Sequence, residues 1–450
     1  MNGNQETPLV LGTRPVSRLL LQYALPAIVA MTAASLYNMI DSIFIGHRLG
    51  PLAIAGLTLT FPLMNLAAAF GSLVGVGAST LTAIKLGQRD TESARQVLGN
   101  VVLMNTVIGV LFTVVMLLLL DPVLLFFGAG AETLPYARSF MEIILAGNVI
   151  THIYMGLNEV LRASGYPRKS MMATLMAVGL NCLFAALFIF VFDWGIRGAA
   201  CATILAQTTA LLWQLRHFFD KRNFLHFERG IFGLKRVIVK GMLAIGMSPF
   251  LMNICACFVV ALITRSLKEH GGDLAISAYG IVNRVAFFFL MIVMGFNQGM
   301  QPIAGYNFGA RLFPRVIQVL KYTICCAVGI TTIGFLVCQF FPCTIIYMFT
   351  TDESFLHVAE EGLHMVFLVF PVVGFQMVTS SFFQSIGLAS RAIFLSLTRQ
   401  LLFLVPALLI LPEIYQLKGV WMSLPVADLI ATIVAVVMLA YQLKKFKKEV

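Results

Sequence analysis

Asp41 is the residue whose chemistry is hardest to reconcile with its surroundings. At about 100° per residue, Ala34, Tyr37, Asn38, Asp41, Ser42 and Ile45 fall on one side of a helix. Met39, Ile40 and Ile43 face away. A carboxylate therefore stands in a small, polar stripe inside an apolar run from Leu19 to Gly46. At such depth a charge is costly and usually turns toward a protein interior or a water-filled cavity. The chemistry it offers there is reversible: it takes up a proton or a small cation and gives it back.

Other polar groups could join it. Asn181 lies midway along a later apolar run, and Thr203 and Gln207 share a helix face at i,i+4 in the next one. Each alone is ordinary helix-packing glue. With Tyr37, Asn38 and Asp41 in one expected lobe they make a candidate functional cluster. Two further charges are deep. Arg284 lies ten residues past Leu274 and Asp428 ten past Lys418, which puts both roughly 15 Å below the same surface at 1.5 Å per residue. Unpaired charges at that depth are expensive, so Arg284 and Asp428 are expected to neutralise each other. Glu159 and Arg162 fit an i,i+3 pair at a helix end. Glu142, Glu360 and Glu361 lie near the outer surface, and Asn65, Asn105, Asn253 and Asn297 are not ranked. His152 and His364 stand alone. The eight cysteines show no CxxC spacing and fall in apolar runs, so they are read as small buried hydrophobes, with no metal and no cofactor expected.

The elements that position these groups follow from composition. The chain of 450 residues is 59% hydrophobic and only 11% charged. Its mean hydropathy of +0.90 belongs to a polytopic helical membrane protein. Twelve apolar segments stand near 19–46, 53–84, 94–120, 135–161, 170–192, 197–219, 237–266, 275–300, 314–342, 356–384, 392–411 and 419–443. Pro26 should bend the first. The net charge of +11 is not a nucleic-acid signal, because the loops sort it: 24 Lys and Arg on one side, with Arg391 and Arg399 counted at the start of the eleventh segment, and 7 on the other. The basic side stays in the cytoplasm, so both termini are expected there. The first apolar run is too long for a signal-peptide core, and no cleavage is expected.

An internal repeat divides the chain. Leu52-Ala53-Ile54-Ala55 recurs as Leu274-Ala275-Ile276-Ser277, an offset of 222, and Gln96-Val97-Leu98 recurs at the same offset as Gln318-Val319-Leu320. Gly165 meets Gly387 at 222, and Ile196-Arg197-Gly198 meets Leu417-Lys418-Gly419 at 221. The expected architecture is all-α, with twelve transmembrane helices in two pseudo-twofold-related six-helix lobes. The parts are a cytoplasmic segment 1–18, an N-lobe 19–219, a cytoplasmic linker 220–236 with a basic face toward anionic lipid headgroups, a C-lobe 237–443 and a basic tail 444–450. An even number of spans per lobe makes the repeat parallel, and two such lobes enclosing a cleft imply alternating access.

The segments Leu161-Arg162-Ala163-Ser164-Gly165 and Gly198-Ala199-Ala200-Cys201-Ala202-Thr203 resemble the multidrug and toxic compound extrusion (MATE) transporters. So do Gly295-Phe296-Asn297-Gln298-Gly299 and the stretch Pro302 to Ala310, the most specific part, which is similar to a bacterial branch of that family. The resemblance covers nearly the whole chain. It implies cation-driven efflux of amphipathic, often cationic, small molecules, with Asp41 as coupling acid, Asn181 as polar partner and Thr203 as a sixth-helix contact. Two departures stand out: Ala185 replaces an acid some members carry four residues after the asparagine, and the seventh span lacks the buried acid of other branches.

The expected function is a plasma-membrane antiporter of the bacterial inner membrane, acting as a monomer and not as an enzyme. Asp41 is charged in the outward-open state; a proton neutralises it, the first lobe repacks and substrate leaves. A proton is favoured over sodium because one acid is evident where a hard cation prefers several oxygen ligands. A lipid-linked oligosaccharide flippase would need a basic cleft for pyrophosphate. A membrane-embedded enzyme would need paired acid, base or nucleophile residues that do not occur here.

Overall fold

Inside hydrocarbon each backbone N–H and C=O must be paired within its own segment, so a chain this apolar is driven to helices. The structure, a computed structural model, describes residues 10–347 and 353–449; the side chains of residues 38, 39, 51, 273, 353–355 and 449 lie outside that description. No strand occurs among the described residues.

The main helices are α1 (Val16–Leu49), α2 (Pro51–Gly87), α3 (Thr91–Leu118), α4 (Leu134–Ala146), α5 (Asn148–Ala163), α6 (Pro167–Ala186) and α7 (Gly195–Phe219). They continue as α8 (Arg236–Gly272) and α9 (Leu274–Gly309), a single helical run broken at Gly272, where φ is 68°. Then come α10 (Phe313–Phe340), α11 (Glu353–Phe367), α12 (Phe370–Ser385), α13 (Ala389–Leu397), α14 (Val405–Tyr415) and α15 (Leu417–Glu449). A π-helical turn follows α6 at Leu187–Val191, and a second joins α13 to α14 at Thr398–Leu404.

Among the described residues nine helical segments are long and apolar enough to cross a membrane. Two bent pairs, α4 with α5 at 56° and α11 with α12 at 50°, bring the number to eleven. The one expected span outside this number, the sixth, near 197–219, coincides with α7. Its 25 residues would span about 37 Å, but Thr203, Gln207, Thr208, Thr209 and Gln214 make it the more polar. Gly147 at the first bend lets α7 approach closely, since a Cβ there would sit 2.4 Å from Ile204 Cδ1.

The helices sort into two compact units. The first holds the described residues up to Thr13 with Val29–Phe250; the second holds Arg14–Ile28 with the described residues from Leu251 on. Each unit therefore takes its opening half-helix from the other half of the sequence. Backbone contact explains why. In the first unit α2 meets the start of α8 so closely that a Cβ at Gly77 would lie 2.0 Å from the Met242 carbonyl oxygen, and one at Gly246 would lie 1.7 Å from that of Leu73. In the second unit the repeat-related positions on α9, Gly295 and Gly299, press in the same way on Ile28 and Ala24 of α1. Only glycine permits this approach, which is how helices pack tightly where no hydrophobic effect drives them together.

Each unit has its own core. Phe112, Phe140, Met141, Leu145 and Ile189 anchor the first. Trp421, fully buried, packs with Leu363, Phe367 and Phe370 in the second. The linker after α7 folds back onto α3. Asn100 donates to the Gly233 carbonyl at 3.2 Å and accepts from the Lys235 N–H at 3.3 Å, while Arg95 pairs with Glu228 at 2.8 Å.

Candidate functional site

Helix α1 carries Tyr37 and Asp41 one turn apart, and the first unit closes around them. Asp41 is 7% exposed, and its Oδ1 has no hydrogen-bond partner among the described residues. Tyr37 lies next to both Asp41 and Thr203, and Cys182 is close to Asp41 as well. From α6, the Asn181 side-chain N–H donates to Thr203 Oγ1 at 2.8 Å, and the Thr203 hydroxyl donates to the Ala199 carbonyl at 3.1 Å. Asn181 Oδ1 is buried and also without a partner among the described residues. Two unpartnered acceptor oxygens, one of them anionic, thus share a region with two hydroxyls. Buried acceptors without donors are rare. Their lone pairs are of the chemical type that a proton or a small cation takes.

Gln207, the next polar residue along α7, turns to α5, where its Oε1 accepts from the Thr151 hydroxyl at 2.5 Å. Thr151 was not singled out in the sequence, because a lone threonine in an apolar run carries no signal of its own. Asn38, a candidate in the same stripe, lies outside the described side chains.

The expected Arg284–Asp428 pair does not form. Arg284 is exposed on α9 and makes no ion pair among the described residues. Asp428 is instead held by Arg399, whose Nε donates to its Oδ1 at 2.5 Å. The error lay in the start of the eleventh span. Placing it at 392 left Arg399 at a basic flank, whereas α13 begins at Ala389 and sets Arg399 ten residues deep, inside the π-helical turn. The expectation that depth forces a counter-charge was sound; the wrong arginine was assigned to it. The tally of basic loop residues included Arg399 for the same reason.

A removable partner makes this pair testable. Asp428→Asn leaves a mostly buried guanidinium without its counter-charge and should destabilise the protein by about 3–5 kcal/mol, an upper range because Arg399 keeps some solvent access. Adding Arg399→Gln should restore part of the lost thermal stability and yield. A double variant no more stable than the single one would show that the pair does not hold the unit together.

The MatE family pattern matches residues 26–187 and 249–409. The Multidrug export protein MepA of Staphylococcus aureus (strain N315) is 26% identical over 425 residues, covering 94% of this chain and 93% of that protein. A structure described as MATE in the bent conformation superposes with a TM-score of 0.93 at 24% identity, covering 98% of each chain. One described as the outward-facing conformation of a multidrug resistance MATE family transporter of the MOP superfamily gives 0.91 at 24% identity and 100% coverage of both. With the helical fold in two units and a family match over most of its length, this chain belongs to the MatE family of membrane transporters, and is not an enzyme.

Proposed function

We propose that the protein exports amphipathic, often cationic, small molecules from the bacterial cytoplasm in exchange for protons, working as a monomer by alternating access. The observation that carries this is Asp41. Among the described residues it is the deep acid without an ion pair, since Asp428 is paired with Arg399. A carboxylate in that position favours any step that neutralises it. A proton from outside does so, and a cationic substrate from inside is the alternative occupant. Such competition for one charge couples the two flows in opposite directions. One proton in for one monovalent cation out is electroneutral and draws on the pH gradient, worth about 1.4 kcal/mol per unit. The relatives named as multidrug export proteins support the substrate class.

Sodium is the second reading, favoured by the unpartnered Oδ1 atoms of Asp41 and Asn181. The proton is preferred because sodium seeks more oxygen ligands than one acid and its neighbours supply. A pyrophosphate-lipid flippase fits poorly, because the uncompensated buried charge is negative.

Asp41→Asn should keep the protein in the membrane and abolish export driven by a pH gradient, because asparagine preserves shape and cannot titrate. Export at the wild-type rate would remove Asp41 from the coupling role. The excess of Lys and Arg in alternate loops supports cytoplasmic termini. A cysteine introduced beside Lys447 should therefore resist an impermeant thiol reagent applied outside cells. Labelling from outside would overturn that orientation.

A further inference from the structure

The first unit holds a second set of polar groups further along the same helices. On α7, Thr203, Gln207 and Gln214 fall within about 40° of one another, forming one stripe roughly 16 Å long. Thr151 and Asn158 form a facing stripe on α5. Two rungs join them: Thr151 to Gln207 at 2.5 Å, and Gln214 Nε2 to Asn158 Oδ1 at 3.2 Å. Each links residues 56 apart in sequence, so the two helices run parallel with the rungs two turns apart. Asn158 also donates to Thr174 Oγ1 at 3.1 Å, and Tyr154 lies against the same hydroxyl. Beside this second rung is a pocket of about 200 Å³, lined by Ser72, Tyr154, Asn158, Glu159 and Thr174 among others. That is room for several waters. Gln214 is 0% exposed, and its Oε1 has no partner among the described residues. Glu159 is held by Arg162 at the end of α5.

Rungs of this kind can be mere packing glue, and the internal repeat shows which parts are. At the 222-residue offset, Asn158 and Thr174 become Ser380 and Ser396, which also bond across their helices at 2.9 Å. The rung therefore belongs to the fold. The acid does not: Ser381 stands where Glu159 would be, and Ala435, at the 221-residue offset of the last helix, where Gln214 would be. The acid and the unpartnered amide occur in the unit that contains Asp41.

From this placement we infer that protons taken up at Asp41 leave through the interior of the first unit, along the stripe, to Glu159. This rests on the proton-coupled reading above. The hydroxyls of Tyr37, Thr203, Thr151, Tyr154 and Thr174 accept one proton and donate another, while the amides orient them and the pocket beside the second rung gives room for water. The Asp41 carboxyl gives up its proton and returns to carboxylate. Glu159 receives a proton, releases it to water at the end of α5 and pairs again with Arg162. No other charge faces Glu159 in the pocket. Along it, α2 presents Gly71, Ser72 and Val76, and α6 presents Thr174. On α7, His217 is engaged with Lys169 at 3.0 Å.

The test uses the full-length protein in proteoliposomes with ethidium as substrate. Two rates are read: efflux driven by a pH gradient, and exchange of labelled for unlabelled ethidium at equal pH, which moves no net proton. Glu159→Gln and Gln214→Leu should each slow driven efflux about tenfold or more and leave exchange near the wild-type rate. Gln214→Leu leaves the Glu159–Arg162 pair intact, so it probes the route without breaking that contact. Driven efflux at the wild-type rate in both variants would overturn the inference, as would an equal fall in both rates, which marks a structural role. If wild-type efflux ignores the pH gradient, the proton-coupled reading fails first and the route falls with it.

Discussion

The cost of an unneutralised charge in hydrocarbon organises this molecule. Where a partner is within reach, the chain uses it: Arg399 for Asp428, Arg162 for Glu159. Among the described residues Asp41 pairs with neither arginine nor lysine, and one of its oxygens meets no donor. A carboxylate left in that condition is a candidate functional group, and under the proposed exchange it is where proton and cargo compete.

The two units repeat one fold. Both make the same glycine-mediated approach between their second helix and a borrowed half-helix, and both carry a π-helical turn in their fifth span. Their polar interiors differ. The first holds Asp41, an acid with no ion pair among the described residues, and a file of hydroxyls. In the second, position 428, the repeat counterpart of Gln207 at the 221-residue offset, is an aspartate closed off by an arginine.

Much of this was legible in the sequence, for physical reasons. Apolar runs longer than a bilayer is thick have few alternative folds, and the offset of 222 reports two similar units directly. Asp41 stood out because a lone acid in such a run is improbable as packing. Three features were hidden. Arg399 was lost because three residues at a helix start decide whether an arginine sits in a headgroup layer or ten residues deep. Thr151 and Cys182 gain their places only from tertiary packing, and nothing in their local sequence distinguishes them from other small polar residues. The exchange of half-helices at 28/29 and 250/251 depends on backbone approach at Gly77 and Gly246, and chain order alone points to a boundary in the linker instead.

The central claim is that a proton, bound and released at Asp41, drives export. Dye efflux by the wild-type protein in inverted vesicles, under a pH gradient, a sodium gradient or neither, measures this most directly. The pH gradient alone should drive efflux, with sodium alone giving no more than the rate without a gradient. Efflux that follows the sodium gradient and ignores the pH gradient would contradict the account.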